Sequence, residues 1–337
     1  MSAISSPHLH GPAALNKVML QVCFALLPAL VAHAWLFGWG ILFNVVIAVT
    51  VALASEALVL KLRDRPIAPT LADGSALVTA LLLAIALPPL APWWLTAVGV
   101  TFAIIFAKQL YGGLGFNPFN PAMVGYVVLL ISFPREMTAW LSPAELRETG
   151  LTLSMTASAV FGSGAIDSLS GATPLDSLKT QLGMGVAMEQ IMASSLFGQF
   201  GGRGWEIING MILLGGLWLL FKRVISWHVP VAMLGSLLAI ATVFHLINPE
   251  AYADPLFHLF GGGAMLGAFF IATDPVSCAT SNRGRIFFGI GVGLLTYTIR
   301  SWGGYPDGVA FSVLLMNMTA PTIDYYTRPR VFGQKEA

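Results

Sequence analysis

The chain has 337 residues, of which 56% are hydrophobic and only 10% are charged. Soluble domains carry about a quarter charged residues, so this composition predicts a protein whose main partner is the lipid bilayer. The net charge of +1 argues against a nucleic-acid partner. The two cysteines, Cys23 and Cys278, lie in separate segments, which excludes a four-thiolate iron–sulfur cluster held by this chain alone.

Apolar runs recur along the chain at about the length that crosses a bilayer as a helix, roughly 20 residues. We therefore predict an all-α membrane protein with about ten transmembrane helices. Several predicted spans are short and carry Gly or Pro near their ends, which is typical of broken or re-entrant helices. The predicted spans are 17–37, 39–60, 74–90, 93–108, 121–133, 207–221, 229–247, 257–273, 286–299 and 308–325.

Two pairs of segments indicate an internal repeat. Residues 73–89 read like residues 261–277, and residues 108–130 read like residues 300–317. Five spans in each half is an odd number, so the two repeats have opposite orientations in the membrane. Inverted repeats with interrupted helices place binding sites at the repeat interface near the membrane midplane.

The short loops predict the sidedness of the chain. Their Lys and Arg residues fall on one side if both termini are cytoplasmic, with Arg300 as the main exception. The first residues lack the pattern of a cleaved signal peptide. The predicted division of the chain is 1–16 as a cytoplasmic tail, 17–133 as the first transmembrane repeat, 134–206 as a periplasmic segment, 207–327 as the second repeat and 328–337 as a cytoplasmic tail.

The periplasmic segment contains the run Ser170-Gly171-Ala172-Thr173, followed by Pro174. One interpretation is a helix start, with Thr173 as N-cap and proline at the first helical position. The other is a ligand site, because a helix N-terminus suits a phosphate and small residues let a bulky group approach the backbone. The two interpretations are compatible, since a phosphodiester on the threonine oxygen leaves the cap in place.

The string at residues 167–173 resembles the covalent FMN attachment motif shared by the D subunit of the Rnf (Rsx) electron-transport complex and the B subunit of the sodium-pumping NADH:quinone reductase. Residues 112–122, 270–281 and 316–324 are also similar to segments of that family, in the same order. The resemblance implies FMN esterified to Thr173 by a separate flavin transferase, with Ser170, Gly171 and Ala172 completing the site. About 16 residues precede the first span, which favours the Rnf-type protein over the longer quinone-reductase protein.

Three further residues are candidates for a second site. One interpretation places Asn117 and Asn120 in a kinked turn in which asparagines satisfy freed carbonyls. The alternatives are an ion path and a second flavin site, and the resemblance implies a non-covalent riboflavin in the membrane part. Asp274 is an acidic residue at membrane depth, which is usually functional. It is instead expected to cap Asn282 or pair with Arg283 if it lies just outside the membrane core.

Three local features have a structural explanation and a functional one. Glu56 is expected to pair with Lys61 or Arg63. The Gly-rich turn at 200–205 is either a flexible re-entry loop or a holder of the FMN phosphate through Arg203. His33, His245 and His258 lie near span ends, and we treat haem ligation by two of them as the weaker interpretation.

The resemblance implies a subunit of an ion-translocating oxidoreductase in the bacterial inner membrane, inactive alone, with Thr173 on the periplasmic side. Such a flavoprotein, also a phosphoprotein through its phosphoester, relays electrons between ferredoxin and NAD with Na⁺ or H⁺ transport, or keeps a redox sensor reduced. Its expected partners are the other Rnf/Rsx subunits, above all the periplasmic flavin-bearing subunit. The alternatives are a urea- or ammonium-type channel with inverted repeats, and a purely structural subunit.

Overall fold

The computed structural model describes residues 12–147, 150–162 and 170–327. The chain is an all-α membrane protein, as predicted, and the described residues add two short strands. The helices are α1 Pro12–Phe37, α2 Gly40–Leu62, α3 Ile67–Leu71, α4 Ser75–Ala86, α5 Trp93–Thr101 with a π-helical continuation Phe102–Gln109, α6 Pro121–Ser132, α7 Pro134–Thr138, α8 Leu153–Phe161, α9 Pro174–Gly183, α10 Met188–Met192, α11 Trp205–Phe221, α12 His228–Ile247, α13 Pro255–Phe260, α14 Ala264–Leu266 with a π-helical continuation Gly267–Ile271, α15 Asn282–Trp302 and α16 Val309–Thr327.

Each predicted span coincides with a helix or a run of consecutive helices. Within the described residues, three helical stretches are long and apolar enough to cross a membrane, namely Leu15–Phe37, Gly40–Leu62 and His228–Ile247. Shorter apolar helices accompany them at Ser75–Ala86, Trp93–Gln109, Pro121–Ser132 and Trp205–Phe221. α1 begins at Pro12 and α11 at Trp205, so helix extends slightly into the predicted 1–16 and 134–206 segments.

Among the described spans, that of α4 ends early and that of α13 and α14 is interrupted, and at each place a buried asparagine satisfies a backbone carbonyl. α4 ends before Pro88, whose carbonyl accepts a hydrogen bond from the Asn44 amide at 2.9 Å. In the second half, α13 ends before three glycines, and the Phe260 carbonyl accepts from the Asn209 amide at 2.9 Å. Irregular backbone at membrane depth requires such internal partners, because lipid offers none.

The helix contacts follow the predicted two-repeat arrangement. α1 packs against α11, and α6 packs against α16, so equivalent helices meet across the interface. α2 contacts α4 and α5, and correspondingly α12 contacts α13 and α15. A buried cation ends the fourth span of each repeat: Lys108 forms an ion pair with Glu56 at 2.6 Å, and Arg300 with Asp307 at 3.0 Å.

The expected pairing of Glu56 with Lys61 or Arg63 is therefore wrong. Glu56 is fully buried and receives hydrogen bonds from the Lys108 ammonium and the Gln109 amide, each at 2.6 Å. Lys61 is exposed, since five residues rotate a helix position by about 140° from Glu56. The Arg63 guanidinium instead donates to the Gln109 carbonyl at 2.5 Å.

The segment between the repeats folds over one end of the helical bundle. Strand β1, Trp140–Leu141, pairs antiparallel with strand β2, Ser170–Gly171, with Trp140 opposite Gly171. The segment takes part in a small apolar core, to which the second repeat contributes Ala253 and Phe257. The core residues are Leu175, Leu178, Ile191, Phe197, Ala253 and Phe257. This core and the strand pair hold the start of α9 against the bundle.

Candidate functional site

Thr173 is the N-cap of α9, as predicted. Its hydroxyl oxygen accepts a hydrogen bond from the Asp176 backbone amide at 3.2 Å, and Pro174 occupies the first helical position. The α9 N-terminus therefore presents a hydroxyl together with the positive end of a ten-residue helix. Ser170 and Gly171 lead into this cap as strand β2, and Ala172 joins strand to helix. Residues 167–169 of the attachment motif lie outside the described residues.

The Gly-rich turn packs directly against the start of α9. A Cβ atom on Gly202 would overlap Cγ of Pro174, so glycine is needed for this close approach. The turn is closed by Glu206, whose Oε1 accepts from the backbone amides of Phe200 at 2.9 Å and Gly201 at 2.7 Å. The turn therefore has defined hydrogen bonds and helps to position Thr173. An Arg203 contact with a phosphate stays a prediction.

Lys179 fixes the other face of α9 to the second repeat. Its ammonium donates to the backbone carbonyls of Ile299 at 3.3 Å, Arg300 at 3.1 Å and Tyr305 at 2.9 Å. Burial lowers the pKa of Lys179, and the nearby Asp176 partly opposes that shift. Burial likewise raises the pKa of Asp176, with Lys179 opposing. The end of α15 thus holds the helix that carries Thr173.

Thr173 lines a cavity at this end of the bundle, which we call the threonine cavity. It encloses about 980 Å³ of empty space, including open solvent at its mouth. Trp140 and Trp205 form part of its wall, with ring centroids 4.8 Å apart. Other lining residues come from both repeats and include His33, Tyr126, Asn209, Gly262 and Asp307. An aromatic, largely apolar cavity with a few polar groups is typical of a cofactor site.

Asn117, Asn120 and Asp274 line a second cavity, which we call the asparagine cavity. Both cavities contact α4, α6 and α11. The threonine cavity does so through Ala86, Leu130 and Ile208, and the asparagine cavity through Ser75, Pro121 and Leu219. These residues occupy opposite ends of the three helices, so the cavities extend toward opposite ends of the bundle, and Met123 and Ile271 of the threonine cavity adjoin Ala122 and Phe270 of the asparagine cavity between them. The structure therefore brings the predicted residues together as two separate groups.

The polar groups of the asparagine cavity also support the local fold. Asn120 is the N-cap of α6, accepting from the Met123 amide at 3.2 Å, and its own amide group donates to the Ile271 carbonyl at 3.4 Å. The Asn117 amide donates to the Phe119 carbonyl at 3.0 Å, whereas its buried Oδ1 has no hydrogen-bond partner among the described residues. One acceptor is therefore left for a ligand.

Asp274 neither caps Asn282 nor pairs with Arg283 among its described contacts. Its carboxylate accepts from the Val276 amide at 3.1 Å and the Ser277 hydroxyl at 2.9 Å, which closes its own turn. The N-cap of α15 is Ser281, whose hydroxyl accepts from the Gly284 amide at 2.9 Å. The reason is local: a side chain two or three residues away is reached at smaller entropic cost than one beyond the turn.

Sequence reasoning missed Asn209 and treated His33 only as a weak haem candidate. Both side chains are about 1% exposed and line the threonine cavity. Their only sequence signal is a polar residue inside an apolar span, which is expensive in lipid and usually functional. Lys108 also lines the asparagine cavity. In the sequence it served only to predict which side of the membrane its loop faces.

A sequence model of the NQR2, RnfD, RnfE family matches residues 2–333. Among curated relatives, the D subunit of the ion-translocating oxidoreductase complex of Alcanivorax borkumensis is 56% identical over 341 residues, which cover 100% of this chain and 98% of the relative. The protein of the same name from Escherichia fergusonii is 53% identical, and that from Aliivibrio salmonicida is 50% identical, each alignment covering 98% of both chains.

Proposed function

Because this chain belongs to the NQR2, RnfD, RnfE family and is a membrane subunit of an ion-translocating oxidoreductase complex, we propose that it relays electrons through FMN joined to the Thr173 hydroxyl. The observation that carries the proposal is the position of Thr173, whose hydroxyl caps α9 at the wall of an aromatic cavity.

The described residues fit a phosphate ester at this position. The threonine oxygen donates no hydrogen bond among the described contacts and accepts one from the Asp176 amide, so esterification keeps the cap. The first-turn amides and the helix dipole of α9 favour the negative phosphate. Small residues precede the hydroxyl, and Gly202 contacts Pro174 from the other side. A phosphate ester on Thr173 would therefore be held by the N-terminus of α9, at the wall of the threonine cavity.

FMN supplies electron transfer when bound, and the protein supplies its position and surroundings. Trp140 and Trp205 wall the cavity and limit water access, while Lys179 and the Gly-rich turn hold α9 in place. We place Thr173 on the periplasmic side of the inner membrane, facing a periplasmic flavin-bearing subunit, with FMN attached by a flavin transferase. The complex then links ferredoxin and NAD to Na⁺ or H⁺ transport, or keeps a redox sensor reduced.

The asparagine cavity is the candidate for a non-covalent riboflavin. Asn117, Asn120 and Asp274 all line it, and the buried Oδ1 of Asn117 is a free acceptor among the described residues. These same groups also suit an ion path. If the cavity binds riboflavin, extraction of the purified complex under denaturing conditions should release free flavin, while the FMN stays covalently bound to the protein. If the cavity is only an ion path, the extraction should release no free flavin.

The test of covalent flavin is a denaturing gel viewed under ultraviolet light. The chain is produced with an active flavin transferase, and the expected result is fluorescence that survives denaturation, with the mass of one FMN on the Thr173 peptide. Thr173→Ala should abolish the fluorescence. Thr152→Ala is the matched control, because Thr152 caps α8 in the same segment and accepts from the Met155 amide at 3.3 Å.

The outcome also separates the alternatives. Absence of flavin from the unmodified chain, with the transferase shown to act on another substrate, refutes the proposal and favours the channel. Fluorescence that persists in the Thr173→Ala variant refutes Thr173 as the attachment residue. If the unmodified chain carries covalent flavin but the Thr173→Ala variant sustains the same electron flow without it, the result supports the structural-subunit alternative.

A further inference from the structure

Two buried polar atoms of the threonine cavity have no hydrogen-bond partner among the described residues. They are Nδ1 of His33, on α1, and Oδ1 of Asn209, on α11. Both side chains line the cavity and are about 1% exposed. A buried polar group without a partner costs folding free energy, so these two groups are available to a ligand that binds in this cavity.

The chemical character of the Asn209 atom is fixed by its neighbours. The side-chain amide nitrogen donates to two backbone carbonyls, those of Trp205 at 3.0 Å and Phe260 at 2.9 Å. Both partners are acceptors, so the nitrogen and oxygen of this amide cannot be exchanged without losing both bonds. Oδ1 is therefore an acceptor alone, and the group that completes it must be a donor.

Aromatic packing holds His33 against Trp205, the residue that also contacts Asn209. Its ring centroid lies 5.5 Å from that of Phe37 and 6.5 Å from that of Trp205, whose carbonyl is one of the two partners of Asn209. The imidazole ring is thus fixed without a hydrogen bond at Nδ1 to any described residue. A ring nitrogen that carries hydrogen is a donor, and it suits an acceptor on the ligand.

We infer that Asn209 and His33 are positioning residues for the pyrimidine edge of the flavin, with Asn209 Oδ1 accepting from flavin N3–H and His33 Nδ1–H donating to an adjacent flavin carbonyl. The inference rests on the proposed attachment of FMN to Thr173. It also selects among redox ligands: a quinone presents only carbonyl acceptors and leaves Asn209 Oδ1 unsatisfied, whereas the flavin edge places a donor between two acceptors.

The hydrogen bond from His33 has a measurable consequence. Negative charge on a reduced flavin is shared with its carbonyl oxygens, and a hydrogen bond to a charged acceptor is about twice as strong as one to a neutral acceptor. Removal of the donor therefore destabilises the reduced form. We expect about a tenfold lower ratio of reduced to oxidised flavin at a fixed potential, which corresponds to ~59 mV for one electron.

The experiment compares His33→Leu with His258→Leu in the complete complex. His258 is a matched control, because it is also buried with an Nδ1 that has no partner among the described residues, but lies outside the threonine cavity. Both variants should keep gel fluorescence at the Thr173 peptide. The potential of the covalent FMN, followed by its absorbance, should fall in His33→Leu and stay constant in His258→Leu. His33→Gln keeps a donor and should restore most of the potential.

A measurement on the unmodified complex tests the Asn209 bond without a variant that risks misfolding. The complex is loaded with FMN labelled with ¹⁵N at N3, so that the N3–H band can be identified in infrared spectra. The band should lie at the frequency of a strongly hydrogen-bonded N–H. It should disappear only slowly on hydrogen–deuterium exchange. A free or rapidly exchanging N3–H, or an unchanged flavin potential in His33→Leu, overturns the inference. If gel fluorescence at the Thr173 peptide persists in that case, the proposed function still stands. Loss of fluorescence in the unmodified complex overturns the proposed function itself.

Discussion

Lys179→Met should loosen α9 from the second repeat while leaving the rest of the bundle in place. The ammonium donates to three carbonyls at the end of α15 and in the turn that follows, at 2.9 to 3.3 Å. A hydrogen bond from a charged group contributes about 1.5–3 kcal/mol in favourable cases. Because Lys179 is only half-buried and shares one charge among three acceptors, we expect a total of about 2 kcal/mol.

Hydrogen–deuterium exchange of the detergent-purified complex measures this loss. A local change of about 2 kcal/mol corresponds to roughly 30-fold faster opening, since 1.4 kcal/mol is tenfold. The backbone amides of α9 after Pro174 should exchange faster by about that factor, whereas exchange in His228–Ile247 should not change. Lys179→Arg keeps the charge, so the amides of α9 should lose less protection in this variant than in Lys179→Met. Equal protection of α9 in Lys179→Met and the unmodified protein would refute the view that this side chain anchors the helix.

Three other substitutions test the surroundings. Gly202→Ala should displace the start of α9 and reduce covalent flavin on the denaturing gel, whereas Gly210→Ala, with open space at its Cβ position, should not. Lys108→Met leaves the buried Glu56 unpaired and should cost about 3–5 kcal/mol, seen as a lower Tm that adding Glu56→Gln partly restores. Asp176→Asn should raise the Tm at pH 7 and not at pH 3. The pKa of Asp176 is raised, so its charged form is disfavoured in the folded state. This cost is present at pH 7 and disappears when the carboxylate is protonated at low pH.

The spans and the Thr173 cap could be predicted because their causes are local. Hydropathy over about 20 residues identifies a membrane helix whatever it packs against. Thr173-Pro174 and Asp176 form an N-terminal helix signature within four residues, and the structure confirms it. The fold class and the helix start therefore needed no tertiary information.

The buried polar partners could not be predicted, because they depend on contacts between distant helices. Lys108 and Glu56 are 52 residues apart, and their pairing follows from the packing of α2 beside the π-helical end of the fourth span. Asn44 and Asn209 each satisfy a carbonyl at or just beyond the end of another helix. A polar residue in an apolar span signals some function but does not identify its partner.

The segment between the repeats explains why the two cavities differ. Each repeat places a buried ion pair beside one of the cavities: Lys108, the partner of Glu56, lines the asparagine cavity, and Asp307, the partner of Arg300, lines the threonine cavity. Only the threonine cavity also receives described residues from the intervening segment, including Thr173 and Trp140. The asparagine cavity lacks this contribution among its described lining residues. A ligand held by a covalent bond to a hydroxyl of that segment is therefore expected at one end alone, and any ligand at the other end must be held by the residues of the repeats themselves.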